Sequence, residues 1–161
     1  MANRMLWRYG ETNPIMAAVD SAQVIEIGDI LYLNTDDARP VSQYTYGDSL
    51  GATQEAIIDT GFLGVAMQQS RNGDTDEIRV ATNGVFEFDC ASATFEVGDL
   101  VGVDDNSDGD TMMDQQVIAV NHPALAIGRV AKRVTSAATK VLVRIKSSVM
   151  EGGVQAGISS G

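Results

Sequence analysis

The side chains best placed to do chemistry lie in the run Asp104-Asp105-Asn106-Ser107-Asp108-Gly109-Asp110. Asp104, Asn106, Asp108 and Gly109 follow the opening positions of a helix-loop-helix calcium loop, where closely spaced oxygens on a turning backbone supply the hard ligands that Ca²⁺ takes. The match then fails. The position that should bring a bidentate glutamate holds Gln115, with Asp114 beside it, and no helical pattern flanks the run. The run therefore reads first as an acidic hairpin loop, with Asp104, Asn106, Asp108 and Asp110 as the one calcium candidate. His122 is the sole histidine and precedes Pro123. A Ser-His-Asp hydrolase would need it as base, yet no Gly-x-Ser-x-Gly elbow is present. Zinc would need more His and Cys than the chain has. Cys90 is the sole cysteine and shares a strand face with Phe86 and Phe88, which makes it a small buried hydrophobe. Carboxylates are abundant but cluster on turns, and nothing singles out one to stay protonated beside an ionised neighbour. Neither glycine-rich phosphate-binding pattern occurs. No catalytic residue and no cofactor is expected.

Composition narrows the classes further. The chain has 161 residues, one cysteine and a formal net charge of −11. It is long enough to bury a core without staples, and an intrachain disulfide is impossible. No secretory h-region is expected at the N-terminus, and no apolar stretch approaches the roughly 20 residues of a membrane span. Synthesis in a reducing cytoplasm follows, with no membrane partner. Charge is segregated. Residues 11–114 hold 21 of the 22 carboxylates and only three arginines, a balance of −18, whereas residues 115–150 hold six cations and no acid. Such asymmetry can orient a protein on a charged partner, although a chain this acidic is a poor partner for nucleic acid.

Residues 1–19 read as an N-terminal arm. Trp7 and Tyr9 sit beside Arg4 and Arg8, a mixture typical of interface anchors. Strand signals follow at Val24–Ile27, Ile30–Leu33, Phe62–Met67, Glu77–Ala81 and Val85–Cys90, then at Val117–Val120, Ala126–Val130 and Lys140–Ile145. Asn72-Gly73 and Asn83-Gly84 mark tight turns. In Val85–Cys90 the apolar residues alternate with Glu87 and Asp89, the mark of a half-buried antiparallel strand. The stretch Gln54–Ile58 fits either a helical turn or a short strand, and no amphipathic helix of ten or more residues is expected. Residues 150–161 are small and rich in Gly and Ser, and read as a flexible tail.

The pattern that organises these elements occurs twice. Ile25-Glu26-Ile27-Gly28-Asp29-Ile30-Leu31-Tyr32-Leu33 returns as Phe95-Glu96-Val97-Gly98-Asp99-Leu100-Val101-Gly102-Val103. Later echoes pair Val65-Ala66 with Val130-Ala131 and Ile78-Arg79-Val80 with Val143-Arg144-Ile145. Two strand-corner-strand modules follow, with pseudo-repeats at about 20–90 and 91–149. The predicted fold is an all-β barrel or sandwich of antiparallel strands, with long polar loops and an extended N-terminal arm.

The motif series Gly28-Asp29, Gly64-Val65-Ala66, Ile78 to Phe86, Val97 to Val101, Ile127 to Ala131 and Val141 to Ile145 resembles the small capsid decoration (cement) proteins of tailed bacteriophages, across roughly residues 20–147. The resemblance implies a structural virion protein that binds the outside of the shell. It would clamp neighbouring major capsid subunits, as a homotrimer or a homodimer, without catalysis. Arg4, Trp7, Arg8 and Tyr9 would then form the capsid contact. The other class open to this sequence is a ligand-binding β-module, such as a calcium-assisted carbohydrate binder using residues 104–115.

Overall fold

The computed structural model describes residues 2–155. Its plan starts from the two Gly-Asp corners. The Asp29 carboxylate accepts from the Glu26 N–H, and the Asp99 carboxylate from the Glu96 N–H, each at 2.9 Å. The Asp29 and Asp99 N–H groups donate back to the carbonyls of Glu26 and Glu96, each at 3.1 Å. Between them Gly28 and Gly98 take φ of 98° and 91°, a region that disfavours any side chain. Each corner is thus a self-closed turn that needs Gly and Asp in that order.

Each corner seeds a five-stranded unit. The first comprises β2 (Ile15–Ala17), β3 (Ile30–Asn34), β4 (Asp37–Pro40), β5 (Phe62–Ala66) and β6 (Ile78–Ala81). The second comprises β7 (Asn83–Phe95), β8 (Leu100–Asp105), β9 (Met112–Ala119), β10 (Gly128–Val130) and β11 (Val134–Lys146). Their orders, β2-β6-β5-β3-β4 and β7-β11-β10-β8-β9, are the same order with new strand numbers. In the second unit β7 also pairs in parallel with β9 through Asp89–Gln116 and Cys90–Val117, which closes a barrel. The first is closed at the equivalent place by one bond, Ala38 N–H to the Ala18 carbonyl at 2.8 Å. A single residue, Thr82, separates β6 from β7.

Hydrogen bonding fixes which residues of the repeat correspond. Gly28 N–H donates to the Ala66 carbonyl and Gly98 N–H to that of Val130, both at 2.9 Å. Ala66 therefore matches Val130, and Val65 matches Arg129, one position away from the sequence echo. Across the next pairing Ala66 faces Val80 and Val130 faces Val143. The echo of Ile78-Arg79-Val80 with Val143-Arg144-Ile145 is therefore two positions off. A two-residue slip leaves every side chain on its own face, so apolar patterning does not detect it; a one-residue slip exchanges the faces. Ile25, paired with Ser70 in an isolated bridge, corresponds to Phe95 opposite Val134.

Four local expectations need correction. Asn83-Gly84 is not a turn, because both residues open β7 and pair there with Lys146 and Ile145. Val24–Ile27 is not a strand, because only Ile25 pairs and the chain is already turning. The last strand is not confined to Lys140–Ile145, because β11 runs unbroken from Val134 and reaches β7 through two register shifts. A helix of more than ten residues does exist: α1 (Leu50–Gly61) has 12. Its cap is legible, with the Ser49 hydroxyl accepting from the Ala52 N–H. Its buried stripe is not, since Thr53, Gln54, Ile57 and Gly61 have helical spacing but little apolar character. Gln54 sits there because its amide donates 2.7 Å to the Val103 carbonyl.

Two clusters form the core. Leu31, Leu63, Ala66, Ile78 and Val80 fill the first unit. Ile30, Tyr32, Phe62 and Val65, from alternate positions of the same strands, join the larger cluster with Phe86, Phe88, Val101, Val117, Val143 and Ile145. Strands β3 and β5 are thus buried on both faces, which explains the unbroken apolar runs Ile30–Leu33 and Phe62–Ala66. After β11, α2 (Ser148–Glu151) and Gly152–Gln155 fold back onto the body, where the Gln155 carbonyl accepts from Arg129 at 2.8 Å. The remaining residues expected as a tail, 156–161, lie outside the described residues.

Equivalent glycines make the strand contacts close. A Cβ on Gly64 would lie 1.9 Å from the Ala81 carbonyl oxygen, and one on Gly128 would lie 2.3 Å from that of Arg144. Gly64→Ala and Gly128→Ala are each expected to lower stability by about 2–4 kcal/mol. Gly51→Ala, in α1 with nothing within 4 Å, should raise it by up to about 1 kcal/mol. Urea unfolding measures all three, and wild-type midpoints for the first two would refute the shared packing.

Candidate partner-binding face

The N-terminal segment expected as an arm is extended, but it lies along the body. Leu6 is buried, and its carbonyl accepts from the Glu87 N–H at 2.9 Å. Strand β1 (Trp7–Tyr9) adds to β7 as the outermost strand of the second sheet. Arg4 anchors the segment: its guanidinium grips both Asp89 oxygens at 2.6 and 3.1 Å, and Lys140 reaches the same carboxylate at 2.7 Å. These cations, Arg4 foremost, hold the Asp89 carboxyl below its ordinary range.

Pairing of Trp7 with Phe86 and of Tyr9 with Val85 leaves Arg8 as an extra residue, a bulge. Its guanidinium donates to the carbonyls of Met5 and Trp7 at 3.0 and 3.2 Å and to Glu87 at 3.1 Å. Arg8 thereby occupies carbonyls that an edge strand would otherwise offer to a stray chain. Arg4 and Arg8 are positioning residues. Trp7 and Tyr9 are displayed, at 39% and 51% exposure, and Met5 joins them at 49%. The indole N–H is tied to the Gly10 carbonyl at 3.1 Å, which fixes the ring. Met5 escaped the sequence reading because methionine near a terminus carries no signal of its own; its place two residues before Trp7 was the available clue.

The calcium candidates are spent on closing a hairpin. The Asp104 carboxylate is buried and accepts from Gln116 at 2.7 Å and from the Asp105 N–H at 2.8 Å. The Asn106 oxygen accepts from the N–H groups of Asp110 and Thr111, and its amide donates to Asp110 at 2.7 Å. Asp108 sits at the exposed tip. Among the described residues no three His, Cys, Asp or Glu side chains come together as a metal cluster. His122 caps a 3₁₀ turn, its Nδ1 accepting from the Ala124 N–H at 3.1 Å. Cys90 is buried, and burial pushes its thiol up, away from nucleophilic use.

A buried polar knot, not visible in the sequence, joins the two units to the N-terminal segment. Gln115 is fully buried, and its amide donates to Asp29 at 3.0 Å, to the Ala2 carbonyl at 2.9 Å and to the Ile27 carbonyl at 3.3 Å. Beside it, Asp114 accepts from the backbone and hydroxyl of Ser42 at 2.8 and 2.9 Å. Burial first, and the charge of Asp114 second, push the Asp29 carboxyl up to about 7. Burial likewise raises Asp114, against the bonds from Ser42.

Comparison with known proteins bears on the body of the chain from residue 39 onward. The sequence profile of a family described as "Phage cement protein" matches residues 39–145. No curated protein matches the chain. Among solved structures it is similar to the head fiber gp8.5 N base of bacteriophage phi29, at 13% identity and a TM-score of 0.42, over 83% of this chain and 94% of that one.

The polar knot sets a pH dependence. Folded Asp29 holds its proton more tightly than the unfolded chain does, so its ionisation removes stability as pH rises from the unfolded value of 3.8 through about 7. Asp114 acts in the same direction. Asp89, shifted the other way, loses its contribution only as pH falls below the ordinary carboxylate range. Thermal stability is expected to lose the Asp29 contribution between about pH 4 and about pH 7. Asp29→Asn should flatten the decline, and an unchanged slope in that variant would exclude Asp29 as its source.

Proposed function

Because the chain belongs to the phage cement protein family, and is thereby a structural component of the phage capsid, we propose that it sits on the outer shell surface and cements neighbouring major capsid subunits without catalysing any reaction. The observation that carries this reading is the display of Trp7 and Tyr9 on a strand locked to the barrel by Arg4 and Arg8, with Met5 exposed just before it. Aromatic anchors held in place before contact lose little freedom on binding, so more of their burial counts towards affinity. The role foreseen for a free arm thus falls to a fixed face.

A net charge of −11 favours the outside of the shell, away from packaged nucleic acid. Copies would group at symmetric shell positions, as homotrimers in preference to homodimers by the family resemblance, and a closed symmetric set repeats one modest contact and gains avidity. The double barrel supplies stiffness against distortion of the joint.

Trp7→Ala combined with Tyr9→Ala is expected to weaken binding to purified empty shells by about tenfold or more. The unfolding temperature should fall only modestly, since both side chains are partly exposed and outside the core. Co-sedimentation with shells measures the first and calorimetry the second. Undiminished binding would remove these residues from the contact, and failure of the wild-type chain to bind shells would remove the cementing role.

A further inference from the structure

Across the outer face of the second sheet, one row of paired residues runs Tyr9, Val85, Arg144, Arg129. Arg144 and Arg129 are thus directly opposed like charges on neighbouring strands, an arrangement that costs stability. Lys146 follows two residues along from Arg144 and so shares its face. The two ends of this face differ. At one end Glu87 and Asp89 are neutralised by Arg8, Arg4 and Lys140. At the other, none of Arg129, Arg144 and Lys146 has a carboxylate within 4.0 Å among the described residues, whose ion pairs use other cations.

These three cations line a groove of about 400 Å³. It adjoins a second hollow of about 430 Å³ that shares Asn83 and Arg144 and is bounded by Tyr9. One acid, Glu151, lines the first hollow, but its carboxylate is taken by the amides of Asn83 at 2.8 Å and Asn13 at 3.4 Å. Glu11 borders the second. On a chain of net charge −11, this is a locally positive site.

Part of the groove already holds polypeptide. Arg129 donates to the carbonyls of Gly98 and Gln155, each at 2.8 Å, so Gln155 lies against it. Among the described residues the Arg144 guanidinium has one hydrogen bond, at 3.5 Å from its Nε to the Asn83 oxygen. Ile145 and Val154 add apolar lining. Arginine forks, amides, an aromatic rim and apolar patches suit a peptide that brings both carboxylates and backbone. A long polyanion such as nucleic acid would meet the acidic remainder of the surface.

We propose that this groove receives an extended acidic segment of another polypeptide, whose carboxylates pair with Arg144 and Lys146 while Tyr9 covers its flank. Identifying that polypeptide as the shell subunit rests on the function proposed above; the chemistry of the groove does not.

The test uses the full chain with fluorescent octaglutamate at low and high salt, with octalysine and a short single-stranded oligonucleotide as comparisons. Octaglutamate is expected to bind, with affinity falling as salt rises. Arg144→Glu with Lys146→Glu should weaken it by about tenfold or more, and Arg144→Gln by less. Calorimetry checks folding, and Arg144→Gln alone decides if the double variant does not fold. No octaglutamate binding, binding unchanged in the variants, or oligonucleotide binding of equal strength would overturn the proposal. Empty shells form the second arm. If the double variant loses octaglutamate but keeps wild-type shell binding, the shell subunit is not the occupant. If the wild-type chain binds octaglutamate but no shells, the groove stands and the cementing role falls.

Discussion

The buried carboxamide of Gln115 is the contact on which the arrangement of the two barrels depends. It stands on β9 of the second unit and donates to Asp29 and Ile27 at the corner of the first, and to Ala2 at the start of the chain. Three segments remote in sequence thus meet at one side chain. An apolar residue there would leave one oxygen of the buried Asp29 carboxyl without its donor, a cost above that of a lost surface bond. The corner that Asp29 closes is itself half of the repeated plan, so the same aspartate sets a turn and ties one barrel to the other.

From that junction the order of the face follows. Arg4 enters beside Gln115, grips Asp89 and brings Leu6 into the core. Once Leu6 is buried, the next residues continue alongside β7, and the bulge at Arg8 leaves the aromatic rings outside. Display of Trp7 and Tyr9 is thus a consequence of packing several residues upstream. Acids on the same face are consumed in fixing this segment, while the cations nearest Gln155 are left without such partners among the described residues.

Much of this plan was legible in the sequence where chemistry and geometry coincide. Glycine with positive φ followed by a capping aspartate marked both corners, and Phe86, Phe88 and Cys90 point inward as their alternation implies. The Asn72-Gly73 turn is present, with Gly73 at φ 97°. Features that rest on polar burial were opaque. Helix α1 buries Thr53 and Gln54, and the polar knot buries Asp29, Asp114 and Gln115, residue types whose usual place is the surface. The docking of β1 was hidden for another reason: three strand residues with no apolar alternation do not reveal which edge will accept them. The family resemblance was legible because its motifs are the turns and strands themselves, whereas the displayed face depends on contacts between distant segments.

The position of β1 also bears on synthesis. The first barrel has all five of its strands once Ala81 has emerged, yet β1 belongs to the other sheet and has no neighbour until Asn83–Phe95 is made. On the ribosome, where chains fold as their segments become available, the segment bearing Trp7 and Tyr9 must wait for more than half of the polypeptide. A truncated translation product ending near Thr82 would therefore carry a complete first barrel but could not hold its aromatic strand in place, so incomplete chains would lack an ordered copy of that surface during assembly.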